Sequence, residues 1–230
     1  MAADKVRAWW VLGGVVAIAL VGASVGAWYA LGGRADAAEH LGHHPPSPAI
    51  AHPEVSGMRV VSRTPVVPAV PAYDFELTDH SGAALALHDL RGRVVLLSFL
   101  YTNCPEACPL LSEHYLDLQR RFAAGLERGD LSLVLITTDP ERDTPARLQE
   151  YTLARRGEWH FLTGELATMG RVWAGYGVYR EARKELQDVV VYHSYKTFLI
   201  GPDGKVRYEY QGVWQADDVA ADIESLGIAP

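Results

Sequence analysis

A chain of 230 residues with 49% hydrophobic and 21% charged content can bury one core of ordinary size, with residues left over for extensions. A formal net charge of −7, a pI near 5.7 and the lack of any basic tract argue against nucleic acid as a partner, because phosphate binding needs clustered Lys and Arg. Only two cysteines occur, Cys104 and Cys108, so there is no disulfide framework and the pair is expected to be there for chemistry.

From Ala8 to Gly33 the chain carries no charged residue. Those 26 residues would span about 39 Å as a helix, enough to cross a bilayer with tilt. Lys5 and Arg7 precede the run while Asp36 and Glu39 follow Arg34, so residues 1–7 are expected on the cytoplasmic side and the remainder exported. Trp9, Trp10, Trp28 and Tyr29 stand near its ends as interface anchors would. Ala35-Asp36-Ala37 offers small residues for a signal-peptide cleavage site, but the apolar run is too long for that and reads as a retained anchor over residues 8–33. The first seven residues lack the Arg- and Ser-rich character of a mitochondrial presequence, which favours a single-pass protein of a bacterial inner membrane with its C-terminal domain in the periplasm.

Residues 34–72 are rich in Pro, Ala and Ser with little periodicity and read as a semi-stiff tether. His40, His43, His44 and His52 lie within it, and a linker without a ligand role is their plainer reading.

The folded domain is expected over residues 73–230. Phe75–Thr78 and Ala84–Leu87 flank the turn-forming Asp79-His80-Ser81-Gly82 as a β-hairpin. Val94–Thr102 is a nearly continuous β-favouring apolar run, as a central strand covered on both faces would be. Leu110, Leu111, Tyr115, Leu118 and Phe122 recur at helical spacing, giving a helix that ends near Gly125 or Gly129, and Leu131–Thr138 is a second buried strand. Thr144 can cap a helix with Pro145 at its first position, running to about Arg156. Trp159–Leu162 reads as extended and Glu165–Tyr176 as helical; Tyr195–Ile200 and Val206–Tyr210 then bracket the hairpin turn Pro202-Asp203-Gly204-Lys205. A helix from Ala216 to Leu226 closes the chain. A βαβ unit followed by helix, hairpin and helix is the order of a thioredoxin-like α/β fold with a central mixed sheet flanked by helices.

Cys104-Pro105-Glu106-Ala107-Cys108-Pro109 sits where a central strand gives way to a helix, at the active edge of an α/β sheet. Pro109 places Cys108 at or just before the helix N-terminus, where free backbone N–H groups favour a thiolate, the form needed for metal ligation or attack on a disulfide. The spacing allows both sulfurs to face one pocket or to close a disulfide, and it does not choose between them. The third candidate is His193, which precedes the final hairpin. Taken alone such a His is an ordinary core or surface residue; in a thioredoxin-like fold its connection packs beside the cysteine turn. Two thiolates and an imidazole form a soft set suited to Cu(I), so copper is the first choice. Zinc could use the same ligands plus water, although a hydrolytic site would want a general base and Glu106 is the only carboxylate in the turn.

These residues resemble the Sco/SenC family. YTNCPEACP is similar to its CxxxCP copper motif, TTDPERDTPARLQEY to the signature after its second strand, and HSYKTFLIGPDGK to its His-containing hairpin. The stretch from Phe161-Leu162-Thr163-Gly164 through Tyr176-Gly177-Val178 also resembles the family pattern, so the likeness covers most of residues 73–230. The resemblance implies copper bound by Cys104, Cys108 and His193, and a part in building the binuclear copper centre of cytochrome c oxidase subunit II. That part is as metallochaperone, thiol reductase or both, and other copper chaperones are further partners it implies. Asp139 matches the family pattern and is expected as a turn former or as a group supporting the ligands.

Two other functions compete. A thiol-disulfide oxidoreductase would use Cys104 and Cys108 as a redox-active pair, but such enzymes on this fold carry CxxC and a cis-proline before the facing strand. Here the spacing is CxxxC and Lys196 precedes Thr197. A peroxiredoxin-like peroxidase also places Cys-Pro after a central strand, yet nothing in its chemistry requires His193. The soluble head is expected to be a monomer.

Overall fold

The computed structural model describes residues 62–105, 107–185 and 188–230. The expected span over residues 8–33 and most of the expected tether lie outside them. Among the described residues no helix is long and apolar enough to cross a membrane.

An eight-stranded mixed sheet in the order β1-β10-β9-β4-β5-β6-β2-β3 forms the centre. Its middle is the parallel trio β4 (Val94–Leu100), β5 (Leu131–Thr137) and β6 (His160–Thr163), every residue of β4 and β5 being buried. The helices are α1 (Ala107–Arg121), α2 (Ala123–Glu127), α3 (Pro145–Arg155), α4 (Leu166–Gly175) and α5 (Ala216–Ser225). Alternation along β4 divides the core into two: Leu96 and Leu100 pack with Tyr115 of α1, Tyr151 of α3 and Ile223 of α5. Val95, Leu97 and Phe99 face Met169, Val172 and Trp173 of α4 on the other side. A strand covered on both faces by helices must be apolar at every position, which is why β4 and β5 read as continuous hydrophobic runs. Ser98, the polar exception in β4, is satisfied by Thr197 Oγ1 at 2.6 Å and by the Tyr115 hydroxyl at 2.8 Å.

Local signals are realised as read. The antiparallel pair β2 (Glu76–Asp79) and β3 (Ala84–Ala86) is the first expected hairpin. Thr144 caps α3, its side chain accepting from the Arg147 amide at 3.3 Å, with Pro145 in the first turn. β9 (Lys196–Ile200) and β10 (Lys205–Gln211) are joined through Gly204 at φ +72°, a left-handed turn position that favours glycine.

Two segments differ from expectation. Ser62–Pro71, placed in the tether of residues 34–72, is strand β1, so the folded domain begins before residue 73. It pairs antiparallel with β10 at the sheet edge, where proline is tolerated because one side of the strand needs no donors. Arg63 fastens it by donating Nε to Asp222 Oδ2 of α5 at 2.6 Å, and Tyr210 donates to the same carboxylate at 2.6 Å. The second difference is a separate two-stranded ribbon, β7 (Arg180–Glu185) against β8 (Asp188–His193), in a stretch to which the sequence pattern assigns no element. Its residues are largely exposed and show no clean alternation, so the period-2 signal on which a strand reading relies is absent.

Candidate metal centre

The cysteine loop leaves the C-terminal end of β4 and enters α1 at Ala107, which makes Cys108 the second helical residue. The Cys104 amide donates to the Tyr101 carbonyl at 3.3 Å, a tight turn that brings the two side chains to one side. Both side chains are buried, both are thiols rather than a disulfide, and their sulfurs are hydrogen-bonded to each other. Ser112 continues the contact inward, its hydroxyl donating to the Cys108 carbonyl at 2.9 Å and pairing with the Tyr151 hydroxyl at 2.8 Å.

The loop is held from below by Asp143, a fully buried carboxylate in the turn after β5. It accepts from the Thr102 amide at 3.1 Å, the Thr102 hydroxyl at 2.5 Å and the Thr137 hydroxyl at 2.5 Å. Charge-assisted bonds of this kind are the strong ones, and three on one carboxylate fix where the loop starts. Arg147 of α3 adds Nη2 to Asn103 Oδ1 at 3.3 Å. Asp143 went unnoticed in the sequence because Thr144 already serves as the cap; an acid beside a competent cap, with no capping role left, was the available signal.

Burial pushes the Cys108 thiol well above its ordinary value, and the adjoining Cys104 sulfur adds to the shift. Burial thus favours the protonated thiol at Cys108, against the thiolate expected at a helix N-terminus. Tyr101, also overlooked, stands beside the pair, its hydroxyl pushed up to about 12 by burial and by the nearby Cys104. Its ring meets His193 edge-on at 5.8 Å between centroids.

His193 ends β8 and is brought by the ribbon to the wall of a cavity of about 510 Å³ that Tyr101, Cys104, Pro105 and Tyr195 also line. Its Nδ1 lies 3.0 Å from the Ser194 carbonyl oxygen, an acceptor only, so Nδ1 carries the proton and Nε2 holds the lone pair. That Nε2 is buried and has no hydrogen-bond partner among the described residues. Burial lowers the imidazole to about 4, which keeps it neutral at physiological pH. A buried, neutral, correctly tautomerised imidazole with an idle lone pair fits a metal ligand, because its desolvation otherwise goes uncompensated.

Cys104 and Cys108 are thus in contact, and Cys104 and His193 share a cavity. No three His, Cys, Asp or Glu side chains among the described residues are gathered closely enough to enclose an ion as they stand. Asp139 is not part of this group: its buried carboxylate pairs with Arg142, and its carbonyl accepts from the Arg142 and Asp143 amides at 3.1 and 2.9 Å. Of its two expected roles, these bonds are those of a turn former.

Fold and site together define a class: a thioredoxin-like domain presenting two thiols and a neutral imidazole at the carboxyl edge of its parallel strands, suited to soft metals or thiol exchange. The sequence profile of the SCO1/SenC family matches residues 68–227, and the chain belongs to that family. It is 31% identical over 156 residues to the SCO1 protein homolog of Bacillus subtilis, covering 66% of this chain and 80% of that relative. It is 36% identical over 157 residues to the mitochondrial SCO2 homolog of Homo sapiens, covering 67% of this chain but 59% of that protein. Among solved structures it is similar to Bradyrhizobium japonicum ScoI with copper bound, at TM-score 0.62 and 26% identity over 68% of this chain and 99% of that one. It is also similar to BsSco, a member of the Sco family of cytochrome c oxidase assembly proteins in which a disulfide switch is identified, at TM-score 0.56 and 29% identity over 70% of this chain and 95% of that one.

Proposed function

We propose that this protein holds one copper ion through Cys104, Cys108 and His193 and serves the assembly of cytochrome c oxidase. It delivers copper to the binuclear centre of subunit II or matures the thiols there. The observation that carries this reading is the idle, buried Nε2 of His193 on the wall of the cavity that Cys104 lines. Copper is cargo here. Uptake of Cu(I) displaces one proton from each thiol, while the imidazole gives a neutral lone pair, so two protons leave and the complex carries one negative charge. A raised Cys108 thiol lowers affinity at neutral pH compared with a preformed thiolate, which suits a protein that must also release its ion by ligand exchange. Copper-bound relatives support the choice of metal.

The anchor at residues 8–33, the cytoplasmic residues 1–7, the inner-membrane and periplasmic placement, a monomeric head and supply of copper by other chaperones belong to the same proposal. The anchor and its placement rest on the charge pattern and length of the N-terminal run, and the chaperone partners on the family the chain belongs to.

A second reading, thiol-disulfide exchange with partner cysteines, is favoured by the contact between the two sulfurs. Against it stands the raised Cys108, since the attacking species is the thiolate. The deciding experiment loads the reduced full chain in detergent with Cu(I) without oxygen and counts bound metal beside Cys104→Ala, Cys108→Ala and His193→Ala. One retained copper, weakened by every substitution, is expected. Loss of copper by the parent, or full retention by His193→Ala while the thiols reduce protein disulfides, would establish the exchange reading instead.

A further inference from the structure

The ribbon that delivers His193 has little to hold it. Among the described residues β7 and β8 pair only with each other, and a lone two-stranded ribbon is marginal in water. Of their side chains Val191 alone belongs to the buried core. Something else must fix the height of His193 above the cysteines.

We infer that Arg180 is the positioning residue for His193, registering the ribbon against the same loop that registers the cysteines; this rests on the reading of His193 as a ligand. Arg180 lies directly across the β7–β8 ladder from His193. Its Nε donates to the Thr138 carbonyl at 3.0 Å, its Nη2 pairs with Glu141, and its guanidinium stands 5.3 Å from the Trp173 ring centroid. The side chain is 13% exposed although the rest of β7 is largely open to solvent. At the other end of the ribbon Arg142 bridges, donating Nη1 to Asp188 Oδ1 at 2.8 Å while Nε holds Asp139. Both arginines therefore tie the ribbon to residues 138–142.

The next residue of that loop is Asp143, whose carboxylate pins Thr102 at the start of the cysteine loop. Ribbon and cysteine loop are consequently referred to one short segment after β5, and the distance between imidazole and thiols is set through it. A planar guanidinium that holds a carbonyl and a carboxylate while packing on an indole is a fixed fork, which a flexible amide cannot reproduce. Arg142 reaches the ribbon at Asp188, the end far from His193, whereas Arg180 holds Thr138 and Glu141 from the position directly across from His193. Arg180 is for that reason the principal element.

The test compares Arg180→Gln with the parent, and Arg180→Gln/His193→Ala with His193→Ala, using the full chain in detergent. Cu(I) affinity is read by competition with bathocuproine disulfonate, and amide exchange and the His193 ring resonances are read on the copper-free protein. Expected are an approximately tenfold weaker hold on copper in Arg180→Gln, no further loss when His193 is already absent, faster exchange across β8 and a displaced His193 ring signal. Unchanged affinity, or an equal loss in the His193→Ala background, overturns the inference. If the parent retains no copper, the functional reading fails by itself; exchange and ring signal then still decide, and their constancy in Arg180→Gln sinks the positioning role.

Discussion

The cysteines and the histidine reach the site from opposite extremes of the molecule. Cys104 and Cys108 follow β4, whose residues are all buried and which is hydrogen-bonded on both sides, by β5 and by β9. His193 terminates a ribbon with solvent on much of its surface and, among the described residues, no sheet neighbour beyond its own partner strand. Local stability follows buried contacts and shielded backbone bonds, so β4 is expected to open at close to the global stability of the domain and the ribbon at much less. On the proposed function that inequality would serve copper release: the two thiols keep their place while the imidazole withdraws when a partner offers its own ligand.

The comparison can be broken most forcefully from the sheet side. Leu96→Ala in β4 should cost about 4 kcal/mol by urea unfolding, from lost burial plus an unfilled cavity, whereas Val189→Ala in β8, 36% exposed, should cost no more than about 0.5 kcal/mol. Equal costs would mean that the ribbon is as integral as the centre. Next in size is Asp143→Ala, which strands three donors and should destabilise the domain by about 2 to 3 kcal/mol. It should also speed alkylation of Cys104 by iodoacetamide; unaltered labelling would show that the loop holds its shape without the carboxylate.

A smaller effect is expected far from the thiols. At Asp79 burial pushes the carboxyl up, but the hydrogen bond with His160 and the neighbouring His80 outweigh it and hold the group below its ordinary value. A carboxyl lowered by folding contributes stability that is complete above its unfolded value of about 4 and lost as pH falls from there toward the folded value. Asp79→Asn should therefore flatten the acid end of the stability profile below about pH 4, and an identical profile would contradict the assignment. Smallest of all is Arg183→Ala in β7, whose partner Glu181 lies two residues away on an exposed strand. No change in thermal midpoint is expected there, and a clear drop would show that the ribbon's outer face contributes to folding.

Much of the fold was legible in local pattern. β4 and β5 announce themselves by unbroken apolar runs, α3 by Thr144 before Pro145, and the β9–β10 turn by Pro202-Asp203-Gly204-Lys205. Each records an interaction within a few residues, or burial on both faces, and both leave a trace in composition. β1 was not legible, because three prolines resemble a tether until β10 is seen beside them.

By itself the sequence determined the thioredoxin-like order of elements, the two cysteines at a strand-to-helix junction and His193 as the partner worth testing. The tertiary structure alone decided which nitrogen of His193 carries the proton, that burial raises the Cys108 thiol, and that Asp139 is occupied by Arg142 while Asp143 holds the loop. It alone set Arg180 across from His193. The division is physical: chain-local preferences are written into neighbouring residues, but desolvation, tautomer and the spending of a carboxylate depend on groups that meet only after the chain has folded.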